Sequence, residues 1–518
     1  MLDFQFAIQV KDFHEVNPLG TVALCSLWTP PSYIFDRLKE IAPKFLEKDS
    51  PLAVIGKLYG GGLKIMLRNL HHNPQLDTVI LCGKDFAGAG ELLLKFFQGK
   101  YERTGKKQAY IFDDGKKEEL ETIAISGEKS IYQMDDLLLP DMFITKPKIL
   151  ELKSDRSGTS AHRIVDFFQT YKRPLTTPEA RPSAIPLPRP QISIFPAERF
   201  GGSVIAESIR EAWSEILFRL DRFGVPTLLR KGKERRELNN FKTTILKPDK
   251  YSLEELTSPP YNLKETYILS YQEEIMEKKN LYEGIPYTYG NRIRSHFGAD
   301  LLEKAALYLA ADLDGRHGFI DLWDNSTDMG ADDAPCLVSL YFRKIEEKIH
   351  LTATFRSHNA THAWPLNCLG LVKLMEYVVQ KINLNKDKQD PYDYIIGTLT
   401  VMSLSLTFNL DDLVEVSSII EARKNTPYRM ADDPHGYFQI SLDFNTHEIV
   451  VQHLAPTSEL LEEYRGSTAS ELSKKLYNNM ALSDLGHAMY LGSQLERAWY
   501  CLENGLEFIQ DKTKLPKT

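Results

Sequence analysis

The sequence predicts two folded parts of different class: an α/β domain built on a parallel sheet and a larger α+β domain, joined by a proline-rich linker. Three observations carry this. Prolines at 174, 178, 182, 186, 188 and 190 punctuate one stretch, where they remove backbone donors and bias their predecessors toward extended geometry. Before that stretch, strand-like and helix-like segments alternate, the order of βαβ units. After it, helices and strands come in separate runs. The expected boundaries are 1–170, a semi-rigid linker over 171–200, and 201–518.

In the first domain "TVALCSLW" and "DTVILCG" read as short buried strands, rich in Val, Ile and Leu. "GGGLKIMLRNLHHN" and "GAGELLLKFFQGK" space their apolar residues as helices do, and each opens on glycine. In the second domain "SVIAESIREAWSEILFRLDRF" and "ADLLEKAALYLAADL" read as helices. "CLVSLYF", "KIHLTATFRS", "IIGTLTVMSLSLTF" and "HEIVVQHL" read as strands.

Totals restrict the function. At 518 residues the chain exceeds one ordinary core, and 42% hydrophobic with 26% charged residues describes a globular protein. A net charge of −8 supplies no basic field for a nucleic-acid backbone, although a local anion site needs only a few arginines. Five dispersed cysteines without a CxxC pair argue against a disulfide framework and a structural zinc. The start "MLDFQFAIQVKDFHEV" lacks a signal-peptide pattern, and no apolar run has bilayer length, so a cytoplasmic protein is expected.

One stretch carries chemistry. "DDAPCLVSLYF" places Cys336 after a proline at the mouth of a strand, and "HLTATFRSHNATHAWPLN" follows closely. A thiol becomes a nucleophile when a cation lowers its pKa, and Arg356 on the next strand could lie across from it. A buried structural cysteine is the plainer reading of these residues alone.

The spacing of the neighbours resembles the thymidylate synthase family, over most of 200–511 and with closest likeness to the archaeal-type synthases. In that family a proline–cysteine pair supplies the nucleophile, an arginine–serine pair binds the nucleotide phosphate, and an asparagine reads the uracil ring. Cys336, Arg356, Ser357 and Asn367 stand in that register, with Pro365, Arg316 and Trp323. "RKGKERRELNN" resembles the phosphate loop, with Arg230 in the arginine position, and "YTYGNRIR" gives Tyr289 as the site tyrosine.

The resemblance implies attack of the Cys336 thiolate on C6 of dUMP. One-carbon transfer to C5 follows, from 5,10-methylene-tetrahydrofolate or methylene-tetrahydromethanopterin, in a homodimer whose partner lends phosphate arginines such as Arg316. Trp323 and Asn359 fall on the pterin side. An asparagine at 367 complements uracil N3–H and O4.

Several positions depart from the family. Thr407 and Asn409 replace the histidine and tyrosine that bond the deoxyribose, and Asn359 replaces an aspartate near the pterin. His317 replaces the second paired arginine. The proton-relay glutamate is open among Glu265, Glu273 and Glu274. These departures keep two alternatives in view: hydroxymethylation of the same ring, and a non-catalytic nucleotide-binding sensor or scaffold.

The first domain, through "VIGKLYGGGLKIMLRNLHHNPQLDTVILCGKDFAGAGELLLKFF", resembles the corrinoid-binding component of tetrahydromethanopterin S-methyltransferase, a Rossmann-like module. The family's cobalt-contacting histidine corresponds to Ala89, and His71 and His72 lie at a helix end. The expectation is a retained fold without the cobalt ligand, which leaves little to hold a corrinoid.

Overall fold

A computed structural model describes the chain except residues 1, 11, 86, 154–159, 175–177, 192–194, 199, 229–233, 279–285, 332, 425–432 and 513–518. The fold is mixed α/β with several sheets. It divides into compact units at 1–424 and 425–518, a boundary inside the larger predicted domain of 201–518.

In chain order the first part runs β1 (Phe13–Glu15), β2 (Val22–Cys25), α1 (Pro31–Ile41), β3 (Leu52–Gly56), α2 (Leu63–His72), β4 (Thr78–Gly83) and α3 (Ala89–Phe97). It continues with β5 (Glu102–Ile111), β6 (Lys117–Ser126), β7 (Ile131–Asp135), β8 (Lys148–Lys153) and α4 (Ser160–Thr170). Strands β3-β2-β4-β8 are parallel, with β1 added antiparallel at one edge. Residues of β2 and β4 are buried throughout, which is why both read as unbroken apolar runs rather than alternating ones. Ile34, Leu38, Ile164 and Phe168 of α1 and α4 share one core cluster, and Leu63, Leu67, Leu93 and Phe96 of α2 and α3 share another. The chain leaves β2 toward β3 on one side and returns to β4 on the other, so the topological switch point lies between β2 and β4.

A second sheet, β7-β6-β5-β9, was not expected from the sequence. Its edge β9 (Arg189–Pro190) comes from the proline-rich stretch. The described part of that stretch is tied to α2. Arg68 donates to the Pro186 carbonyl at 2.8 Å, and Arg181 donates to His72 O at 3.0 Å.

The larger α+β part comprises β10 (Ser203–Ala206), α5 (Ile209–Phe223), β11 (Val225–Leu228), β12 (Glu234–Ile245), α6 (Leu253–Thr257), α7 (Glu265–Met276), α8 (Tyr289–Asn291) and α9 (Leu301–Ala311). It continues with β13 (Phe319–Asp321), β14 (Leu337–Ile345), β15 (Lys348–Phe355), β16 (His358–Asn359), α10 (Ala363–Asn385), β17 (Ile395–Asn409) and α11 (Leu413–Lys424). The sheet order is β10-β12-β17-β15-β14-β13, with β11 beside β12 and β16 beside β17. Helix α10 lies in the core: Trp364, Leu369, Leu371 and Met375 are fully buried, and its neighbour Trp213 on α5 donates to Ala360 O at 2.8 Å.

One face of this sheet carries a row of half-buried and exposed side chains. Across it, in register, run Ile205, Thr244, Thr400, Thr352, Tyr341 and Phe319. The row begins and ends on apolar side chains that are 66% and 56% exposed.

The second unit holds an antiparallel sheet of β18 (Tyr437–Asp443), β19 (Glu448–Leu454) and β20 (Leu460–Gly466), with α12 (Ala469–Asn478) and α13 (Leu485–Glu503). Leu472, Leu491, Leu495 and Ala498 close its core against Ile449 and Val451. Buried Asp433 ties it together, accepting from Ser483 Oγ, Ser483 N and His487 Nδ1 at 2.6, 3.0 and 3.0 Å. Among the described residues no helix is long and apolar enough to cross a membrane.

Candidate active site

Cys336 stands one residue before β14, where Leu337 pairs with Phe355 of β15. That pairing brings Arg356 alongside: its backbone N–H donates to Cys336 O at 2.9 Å. The Arg356 side chain then grips the segment before the cysteine, Nε donating to Pro335 O at 2.9 Å and Nη2 to Ala334 O at 2.6 Å. Two tyrosines hold the same corner. Tyr287 donates to Ala334 O at 3.2 Å, and the Tyr289 hydroxyl accepts from Leu337 N at 3.3 Å. Trp323 packs under the Arg356 guanidinium, 5.6 Å from the ring centroid.

The thiol is half-buried. Burial pushes its pKa above the ordinary value, the Arg356 charge pulls it down, and Asp333 adds to the rise. In the free protein the balance favours the thiol. Among the described residues Arg356 Nη1 makes no hydrogen bond, which leaves that nitrogen for an anion.

Asn367 sits in the first turns of α10, 4% exposed. Tyr271 of α7 donates to its Oδ1, and its Nδ2 meets His358 Nε2 at 3.0 Å. Helix α7 reaches this point because α10 carries Gly370 there: a Cβ would stand 3.1 Å from Tyr271 Cε1. The hydroxyl pKa values of Tyr271, Tyr287 and Tyr289 are all raised, by burial first, and each also responds to Cys336. Cys336, Arg356, Tyr289 and Asn367 therefore belong to one neighbourhood.

Other predicted residues occupy varied settings. Ser357 is half-buried beside Arg356. Asn359 Oδ1 accepts from His362 N at 2.8 Å, at the start of α10. Thr407 is buried, bonding His358 O at 3.5 Å, and Asn409 donates to Asp412 at 3.4 Å. Arg316 is exposed in the turn between α9 and β13, and among the described residues no hydrogen bond or ion pair joins it to the Cys336 cluster. Its neighbour His317 packs on Tyr308 at 5.3 Å. Arg230 lies outside the described residues.

Sequence reasoning missed His358, Tyr271 and Tyr287. A signal existed for Tyr271. The inward face of α7 is Ile268, Tyr271, Gln272 and Ile275, whereas the candidate acids Glu265 and Glu273 are exposed and only Glu274 is half-buried.

The N-terminal crevice at the switch point is built differently. The start of α3 is occupied by Asp85, which accepts from Ala89 N at 2.9 Å and Gly90 N at 3.0 Å. The start of α2 meets the carboxylate of Asp411, which lies between β17 and α11. A Cβ at Gly61 would lie 2.5 Å from Asp411 Oδ2, and Lys64 Nζ is 2.6 Å from Asp411 Oδ1. Nearby, Lys57 lies 4.0 Å from Asp333 and 4.7 Å from the Tyr59 ring centroid. A corrinoid does not fit these residues. Ala89 offers no ligand to cobalt, its N–H is already bonded, and His71 is buried against Phe143, ring centroids 5.5 Å apart.

Proteins named "putative thymidylate synthase" match this chain. The one from Methanothermobacter thermautotrophicus is 26% identical over 230 residues, covering 42% of this chain and 98% of that protein. The one from Methanococcoides burtonii is 29% identical over 222 residues, covering 43% and 95%. Through this stretch the chain is a relative of the thymidylate synthases.

A deoxyuridylate hydroxymethyltransferase of Pseudomonas phage M6 is 29% identical over 102 residues, 19% of this chain and 29% of that protein. A family model described as PterinBD-DUF4346 matches residues 432–511, which fall within the second compact unit.

Proposed function

We propose that this chain transfers a one-carbon unit from a methylene-tetrahydropterin to C5 of dUMP. The observation that carries the reading is the clamp beside Cys336: the Arg356 side chain holds the Ala334 and Pro335 carbonyls, its backbone N–H holds that of Cys336, and Nη1 still has N–H groups to offer a phosphate. Cys336 Sγ adds to C6 of the ring and the electron pair moves to C5 and O4 as an enolate. C5 attacks the methylene carbon, and the C5 proton leaves. Separation of the pterin amine gives an exocyclic methylene. Hydride from the pterin then yields a methyl group as the pterin is oxidised to the dihydro level, and Sγ departs from C6.

Arg356 and Ser357 bind the phosphate, with Arg230 and, from the second copy, Arg316. Asn367 reads the base, while Thr407 and Asn409 lie on the sugar side. Trp323 and Asn359 line the pterin side. Methylene-tetrahydrofolate and methylene-tetrahydromethanopterin both satisfy this chemistry. The row from Ile205 to Phe319, exposed at its two apolar ends, is the face on which a second copy would pack to form the homodimer.

A second reading is hydroxymethylation, in which water captures the exocyclic methylene; the phage relative favours it. The test is incubation with dUMP and either methylene pterin, followed by mass analysis of the nucleotide. A methyl gain supports the first reading and a hydroxymethyl gain the second. A covalent adduct with 5-fluoro-dUMP should form in the parent and be absent from Cys336→Ala. Nucleotide returned unchanged, with no adduct in the parent, would leave only a non-catalytic binding role.

A further inference from the structure

Lys57 follows β3 directly, at the strand ends of the parallel sheet. Its side chain is 10% exposed, and among the described residues its ammonium donates no hydrogen bond. The carboxylate it meets, Asp333 Oδ2, lies 4.0 Å away, beyond hydrogen-bond length, and is itself 51% exposed. An ammonium placed so deeply has three N–H groups to satisfy and is costly to bury without acceptors. The helix starts nearby are matched closely by Asp85 and Asp411, whereas Lys57 is matched only loosely.

Two rings stand beside it. The Lys57 ammonium lies 4.7 Å from the Tyr59 ring centroid, and that ring meets Trp28 at 5.2 Å, planes 46° apart. Trp28 comes from the end of β2, which Ser26 N ties to the end of β3 by donating to Gly56 O at 2.8 Å. Both rings are half-buried, so each keeps some accessible surface.

This corner adjoins the Cys336 neighbourhood. Asp333 stands three residues before Cys336. After burial, which comes first in each case, the Asp333 charge helps to raise the pKa of Tyr59, Tyr287 and Cys336. The two cations arrive at different points. Arg356 holds Ala334 and Pro335 and keeps Nη1 for a phosphate, while Lys57 arrives at Asp333 in the company of two rings. A single ammonium beside ring faces is a poor match to a phosphate dianion, which needs several donors. It suits a flat aryl group that continues into an anion. Methylene-tetrahydrofolate and methylene-tetrahydromethanopterin both have that shape: a pterin head, an aryl ring, then an anionic tail.

We propose that Lys57, with the Trp28–Tyr59 ring pair, forms a further subsite that binds the aryl ring and anionic tail of the pterin co-substrate. This deepens the one-carbon-transfer reading and rests on it. The loops that follow β2 and β3 then serve the same reaction as the residues around Cys336.

The experiment is calorimetric titration of the full chain in the presence of dUMP. The ligands are tetrahydrofolate and tetrahydromethanopterin, which carry tails, and 6-methyltetrahydropterin, which is the head alone. In the parent a tailed ligand should bind more tightly than the head, and the advantage should shrink as salt rises. Lys57→Met keeps an unbranched stem and removes the charge. It should weaken the tailed ligand about ten-fold and leave the head and dUMP unchanged. Lys57→Arg should keep most of the affinity, because it keeps the charge. Circular dichroism checks the folding of each variant.

A folded Lys57→Met protein that binds the tailed ligand with parental affinity overturns the proposal. So does a loss that falls equally on the head, because the lysine would then serve the fold. A loss that falls on dUMP and spares deoxyuridine overturns it too, because the ammonium would then serve the phosphate. Should Lys57→Met fail to fold, a tail advantage in the parent that ignores salt overturns it. A parent that binds no pterin overturns the one-carbon reading itself and this inference with it. A parent that binds dUMP and a tailed pterin, beside a Lys57→Met protein that matches it, overturns the inference only.

Discussion

The strand ends of the parallel sheet and the surroundings of Cys336 use similar materials: helix starts, glycines and buried polar side chains. They differ in what those groups face. In the crevice the N–H groups opening α3 hold Asp85, and α2 opens against Asp411 and Lys64. An anion-binding shape is filled by the protein's own carboxylates. Around Cys336, Arg356 and Asn367 are each half used, fixed by bonds on one side and free on the other. Full satisfaction marks a packing surface, and half satisfaction marks a place where a ligand completes the set.

The largest effect should come from breaking the filled crevice. Lys64 and Asp411 have side chains only 8% and 17% exposed, so removing one partner strands a buried charge. Lys64→Ala should lower the free energy of unfolding by about 3 kcal/mol, read from urea titration. The double variant Lys64→Met/Asp411→Leu should recover most of it. If Lys64→Ala alone were harmless, the ion pair would be a loose surface one and the crevice would be open to a ligand.

Next in size is the thiol. Burial raises the Cys336 pKa and Arg356 lowers it, so alkylation by iodoacetamide should speed up with rising pH, through a pKa above that of an ordinary thiol. Taking away the guanidinium removes the charge that favours the thiolate and moves the profile further up. At neutral pH Arg356→Ala should react about ten-fold more slowly than the parent. Arg356→Lys should keep most of the rate, because it keeps the charge although it cannot copy the two carbonyl bonds. An alkylation rate that ignores Arg356 would mean the two side chains do not share a field.

The sequence made some of this readable and hid the rest for physical reasons. The parallel strands β2 and β4 were legible because burial on both faces removes alternation. Cys336 and Arg356 were legible because a hairpin of β14 and β15 converts their separation along the chain into adjacency. Sheet β7-β6-β5-β9 was not, since β5 is exposed and polar over much of its length and carries no hydrophobic pattern, while only the second half of β6 is apolar. His358 was hidden because a histidine beside an arginine–serine pair looks like one more solvated polar residue. Only the packing of β16 on β17 shows it buried. Filling of the α3 start by Asp85 was equally invisible, for a glycine-rich helix opening has the same sequence whether its N–H groups meet a ligand or a neighbour.

The smallest expected effect sharpens the comparison most. Asp85 is 7% exposed and bonds two N–H groups at the start of α3, the work of a capping residue. Asp85→Ala should therefore cost about 1 kcal/mol of stability by urea unfolding. It should leave dUMP affinity at the parental value, since the residue belongs to the packed crevice rather than the cleft. Asp85→Asn keeps an oxygen acceptor and loses the charge that the helix start favours, so it should fall between parent and alanine variant. Were Asp85→Ala to weaken dUMP binding while stability stayed constant, the crevice would be part of the nucleotide site. The distinction between a filled cradle and an open one would then fail.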